Sequence, residues 1–205
     1  MVIILIMASF INFTLNPAAS LMPILVTKHF NGGVGHLAAV DSTFGVGAIL
    51  GGVILGVWGG FKRRIYTLLM GLLGIGLGFA LIGFVPANAF PVALLGMFLA
   101  AFMMSMTNGP LMALLQAVVA PEMQGRVFTL IGSVSALMSP LGLLIAGPVA
   151  NKFGIQAWYN IGGLTCLALG VACFFIPAVT RLEDGRGETL AAREPEPAVA
   201  VSVTN

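Results

Sequence analysis

Long unbroken apolar stretches separated by short polar ones organise this chain. Apolar runs lie at about residues 2–27, 37–57, 65–85, 90–119, 127–150 and 157–177. Each reaches the roughly 20 residues that a helix needs to cross the hydrocarbon of a bilayer. The separators hold most of the charges and turn formers before residue 181. They are Lys28 to Gly33, Gly59 to Arg64, Pro86-Ala87-Asn88, Pro121 to Arg126, and Asn151 to Gly154. Membrane β-strands alternate apolar and polar positions over about ten residues, and these runs are continuous and about twice as long. The pattern predicts an all-α membrane protein with six transmembrane helices over residues 1–180. The first run has no basic leader or small-residue cleavage site and is too long for a signal peptide. Residues 181–205, with Glu183-Asp184-Gly185-Arg186 and Arg193-Glu194-Pro195-Glu196-Pro197, are expected to form a solvated, mostly disordered tail.

Polar residues inside such helices are costly, so their placement points to the protein interior. In the first helix Ser9, Asn12, Asn16 and Ser20 recur on one face beside Pro17. In the fourth, Ser105, Asn108, Met112 and Gln116 do the same, with Gly109-Pro110 expected to interrupt the helix. The second aligns Asp41, Gly45, Ala48 and Gly52, and the fifth aligns Gly132, Ser135, Ser139 and Gly142. The third offers only a close-packing face of Gly71, Gly74 and Gly78. The first helix of each successive triplet thus carries a polar, Pro-bearing stripe. Interrupted helices at matching places in two three-helix units point to a transporter site at an inverted-repeat interface. On this reading Asn12, Asn16, Asn108, Gln116, Ser135 and Ser139 line a cavity, and Pro17, Gly109, Pro110 and Pro140 act as hinges.

Composition sharpens the class. The chain is 59% hydrophobic and 8% charged, against about 25% charged in soluble proteins. Half of its Lys, Arg, Asp and Glu residues fall after residue 180, so the remainder cannot cover a soluble surface. A net charge of +2 gives no reason to expect a nucleic-acid partner. Cys166 and Cys173 sit about 10 Å apart along one helix, too far for a disulfide, and show no metal-ligand spacing. No nucleotide-binding loop, His-rich cluster or nucleophile–base pair is found, so neither an enzyme nor a cofactor is expected. His29 and His36 flank a loop and are expected at the surface. Lys62, Arg63, Arg64, Arg126, Arg181, Arg186 and Arg193 gather on one side of the spans, and Lys28 and Lys152 on the other. The positive-inside rule then makes both termini cytoplasmic.

Two sets of motifs bear on family. Asn16-Pro17-Ala18 matches the aquaporin tripeptide, but that family carries it twice and this chain once. Gly51-Gly52-Val53-Ile54-Leu55-Gly56 runs into Gly60-Phe61-Lys62-Arg63-Arg64. Asn108-Gly109-Pro110 is followed by Pro121-Glu122-Met123-Gln124-Gly125-Arg126-Val127, and Ser139-Pro140-Leu141-Gly142 by Ala146-Gly147-Pro148. With these the chain resembles the C-terminal six-helix half of a major facilitator superfamily transporter, in the macrolide-efflux-like branch. Gly147 to Gly154 is similar to the superfamily's Gly-x-x-x-Asp-Arg-x-Gly loop, with Asn151 for Asp and Lys152 for Arg; the Lys62-Arg63-Arg64 copy lacks the acid.

The resemblance implies two three-helix inverted repeats and alternating access with proton-coupled efflux of a small amphipathic compound. It also implies a bacterial inner membrane as the location, and a complementary six-helix half or a second copy as partner. Asp41, the sole acid within any expected span, is the candidate proton carrier. The competing readings are a six-helix channel of aquaporin type and a transport-inactive remnant or assembly subunit.

Overall fold

The computed structural model describes residue 13 and residues 15–61, 64–119 and 121–175. Among the described residues there are six helices. The first, α1, is α-helical over residues 15–24 and continues into a π-helical turn at Leu25–His29. Then come α2 (Val34–Trp58), α3 (Arg64–Phe84), α4 (Phe90–Val118), α5 (Pro121–Phe153) and α6 (Ile155–Phe175). Four stretches are long and apolar enough to cross a membrane: Val34–Trp58, Ile65–Phe84, Phe90–Ala113 and Glu122–Phe153. Of the other two expected spans, α1 is described only in part, and α6 opens on the polar Gln156, Tyr159 and Asn160. The tail at residues 181–205 lies outside the described residues.

The helix ends have local causes. A glycine at φ +75°, Gly59, closes α2 and donates its N–H to the Leu55 carbonyl at 2.7 Å. Gly154, at φ +87°, stops α5. Both adopt the left-handed conformation that only glycine takes cheaply. The start of α5 differs from expectation, because Pro121 to Arg126 is helix and not separator. Proline fits the first helical turn, where its missing N–H has no helical partner to lose, and Glu122 faces the positive end of the helix dipole. Pro110 in α4 and Pro140 and Pro148 in α5 sit inside unbroken helices. The expected interruption at Gly109-Pro110 is therefore not a break in the helix, in keeping with the tolerance of membrane helices for proline.

The centre of the bundle is α3, gripped on two faces. Gly71, Gly74 and Gly78 meet α4; a Cβ at Gly78 would lie 2.6 Å from the Gly96 carbonyl oxygen. Gly76 and Gly83 meet α6, where a Cβ at Gly76 would lie 2.9 Å from the Gly163 oxygen and one at Gly163 2.6 Å from the Ala80 nitrogen. Backbones this close gain dispersion energy, which drives helix association where lipid removes the hydrophobic term. On α2 the packed face is Val40, Gly47 and Gly51, the two glycines lying against the Phe98 and Phe102 carbonyls of α4. At the other side of the bundle Gly142 of α5 abuts Pro17 and the Phe13 carbonyl of α1. Tyr159 of α6, fully buried, donates its hydroxyl to the Ala18 carbonyl of α1 at 2.6 Å and stacks on Phe79 of α3. The outermost helix is α5: 6% of its spanning window is buried, against 56% for α3.

Candidate functional site

Contacts on α4 leave one of its faces empty. Gly96, Ala100, Met103 and Thr107 turn to α3, and Phe98, Phe102 and Gly109 turn to α2. The remaining face carries Met104, Asn108, Met112 and Gln116, spaced four apart and all exposed. Ser105, expected in this stripe, is half-buried, and a Cβ at Gly52 would lie 3.5 Å from its hydroxyl. An amide such as Asn108 facing hydrocarbon would leave donors and acceptors unmet. This face therefore calls for water or further protein.

The expected α1 stripe is described only in part. Asn12 lies outside the described residues. Asn16 is half-buried, hydrogen-bonded, and accepts the Ser20 hydroxyl on its carbonyl at 3.3 Å. Pro17 is buried against Gly142. On α5, Ser135 is half-buried, Pro140 is exposed, and Ser139 falls on the helix between Ser135 and Gly142. Gly132 stands in open space, so only the Gly142 end of the expected small-residue seam is packed.

Asp41 departs from expectation. Gly45, on its face of α2, has nothing within 4 Å of a Cβ, and Asp41 itself is exposed. The reason is a rotation of roughly one residue: Gly47 and Gly51 take the α4 contact, with Val40 buried on the same side, and Asp41 is turned away from it. Lys62 and Arg63 lie outside the described residues, and Arg64 opens α3. The turn leading into them is tied by the Phe61 N–H, which donates to the buried Thr67 hydroxyl at 2.9 Å. Gly147 to Gly154 closes α5 at the opposite end of the bundle from this turn.

Three polar side chains with structural roles escaped the sequence reading. His29 is half-buried rather than at the surface. Its Nε2 lies 3.2 Å from the Val85 carbonyl and 2.8 Å from the Gln156 amide nitrogen, which also donates to Val85 at 2.8 Å. The ends of α1, α3 and α6 are thereby tied together. Gln124 donates to the Gln116 and Val119 carbonyls at 3.1 and 3.3 Å, serving acceptors that the end of α4 leaves open. All three sit in or beside separators, where periodicity carries no information about neighbours. Among the described residues no three His, Cys, Asp or Glu side chains gather as a metal site would need.

A bundle of glycine-packed apolar helices with one bare polar face has a counterpart among known families. The family model described as Major Facilitator Superfamily matches residues 1–203. The chain belongs to the major facilitator superfamily. Its members are membrane transporters and not enzymes. Macrolide efflux protein A of Streptococcus pyogenes is 26% identical over 171 residues, covering 83% of this chain and 42% of that protein. The protein of the same name from Enterococcus faecalis is 29% identical over 131 residues, covering 64% of this chain and 41% of its own length. Multidrug efflux pump Tap of Mycolicibacterium fortuitum is 29% identical over 152 residues, covering 72% and 36%. The matched region thus spans about two fifths of each of these relatives.

Proposed function

We propose that this superfamily member is the C-terminal six-helix half of an exporter of the macrolide-efflux type. It rocks against a complementary six-helix half and expels a small amphipathic compound by alternating access in exchange for protons. The observation that carries this reading is the α4 stripe of Asn108, Met112 and Gln116, which no helix among the described residues covers. The same reading accounts for the bareness of α5. It also agrees with the extent of the relatives, more than half of whose length lies beyond the match.

The packing pattern supports two inverted repeats. Exchanging α1 with α4, α2 with α5 and α3 with α6 turns the α2–α4 contact into α5–α1, and α3–α4 into α6–α1. The α3–α6 contact maps onto itself. Each of these pairs packs together here, while the α5–α6 contact has no α2–α3 counterpart of like extent. Asp41 remains the candidate proton carrier on this account, since its open face on α2 is available to the missing half. The charge asymmetry supports cytoplasmic termini, and the bacterial relatives support a bacterial inner membrane.

The test is export of an amphipathic dye from proteoliposomes holding this chain joined to a complementary half. Alanine at Asn108 and Gln116 should slow export at equal expression. Alanine at Leu77, exposed on α3, should not. Equal losses would reduce the stripe to packing and sink the cavity reading.

A further inference from the structure

We propose that the cleft where the end of α1, the end of α5 and the start of α6 converge is a binding site for an anionic phospholipid. Its volume is about 490 Å³, within the roughly 300–1,000 Å³ of pockets that hold small molecules. The walls divide by chemistry. Leu21, Ile24, Ala150 and Ile155 form an apolar side, and Lys28, His29, Asn151 and Gln156 a polar one. Among the described residues Lys28 is the only Lys or Arg in the lining, and no carboxylate lines the cleft.

The Gln156 amide nitrogen lies 2.8 Å from both the Val85 carbonyl and His29 Nε2, and Nε2 lies 3.2 Å from the same carbonyl, so these three groups satisfy one another at the cleft wall. The polar side offers the Lys28 ammonium and the Asn151 amide. A phosphodiester takes both, and the apolar side accepts the start of an acyl chain. A zwitterionic headgroup would bring a second charge, a cation, that finds no carboxylate in the cleft. The site lies at the helix ends, where hydrocarbon gives way to headgroups, and on the charge asymmetry it faces the outer leaflet. The inference goes beyond transport and requires only that the helices sit in a bilayer.

Native mass spectrometry of the chain released from nanodiscs tests it, using phosphatidylglycerol, phosphatidylcholine or inorganic phosphate as probe. Phosphatidylglycerol should be retained in preference to phosphatidylcholine, and Lys28→Gln should weaken that retention about fivefold. Gly147→Leu should abolish it, because Gly147 lines the cleft and a Cβ there meets nothing within 4 Å, so the added side chain enters the space without displacing backbone. Gly132→Leu, on the same helix and equally unobstructed, should retain the lipid. Equal retention of both lipids would overturn the proposal, as would unchanged retention in Gly147→Leu. Displacement of the lipid by inorganic phosphate alone would overturn it too, by leaving the apolar wall without a role.

Discussion

Tyr159 shows how a single side chain can fix a helix that two prolines weaken. Pro17 and Pro23 leave the Phe13 and Ala19 carbonyls of α1 without their helical donors, and the Tyr159 hydroxyl ties the segment between them to α6 through the Ala18 carbonyl. Tyr159→Phe keeps the ring stack on Phe79 and deletes only this bond. It should lower stability by about 1 kcal/mol, the scale of hydrogen bonds between membrane helices, in unfolding from mixed micelles. Functional residues are the harder matter at this scale. Asn108→Ala and Gln116→Ala should each cut export about tenfold if they hydrogen-bond the substrate, while Leu77→Ala stays at the parent rate. For Asp41, the expected result with Asp41→Asn is loss of uphill export with downhill equilibration retained, read in proteoliposomes with an imposed pH gradient. Full uphill transport would remove Asp41 from the coupling path. The sequence singled out Asp41, Asn108 and Gln116 because polar groups in apolar runs stand out. It could not say which way they face, since a rotation of one residue about the α2 axis moves Asp41 off the packed seam.

At the scale of elements, glycine position separates contacts from open faces. Gly76 and Gly163 hold α3 against α6 at backbone distance, whereas Gly45 and Gly132 have nothing within 4 Å of a Cβ. Gly163→Ala should therefore destabilise the bundle by about 1–3 kcal/mol, the usual scale of overpacking. Gly45→Ala should be neutral or stabilise by up to about 1 kcal/mol through helix propensity. Equal effects in thermal unfolding would mean that the α3–α6 contact does not hold the fold together. The helices themselves were legible, because runs of about 20 apolar residues leave few alternatives. What could not be read was their ends and faces. Pro121 reads as a breaker but occupies a first turn, and Gly109-Pro110 reads as an interruption but lies in continuous helix. Gly71, Gly74 and Gly78 were recognisable as one packing face; Gly76 and Gly83, on the opposite face, stood out only once α6 was seen against them.

For the molecule as a whole, the central claim is that these helices are one half of an exporter. The charge asymmetry predicts that a cysteine at Gly33 is labelled from outside and one at Gly185 is spared; the opposite pattern would invert the topology. A half-transporter has a polar face and no pathway of its own, so this chain and a closed six-helix pore behave differently. Accumulation of an amphipathic dye in inside-out proteoliposomes under a pH gradient distinguishes them most directly. The chain joined to its complementary half should concentrate the dye, and the chain by itself should move none. Dye movement by the six helices alone, or no accumulation by the joined halves at full expression, would contradict the account.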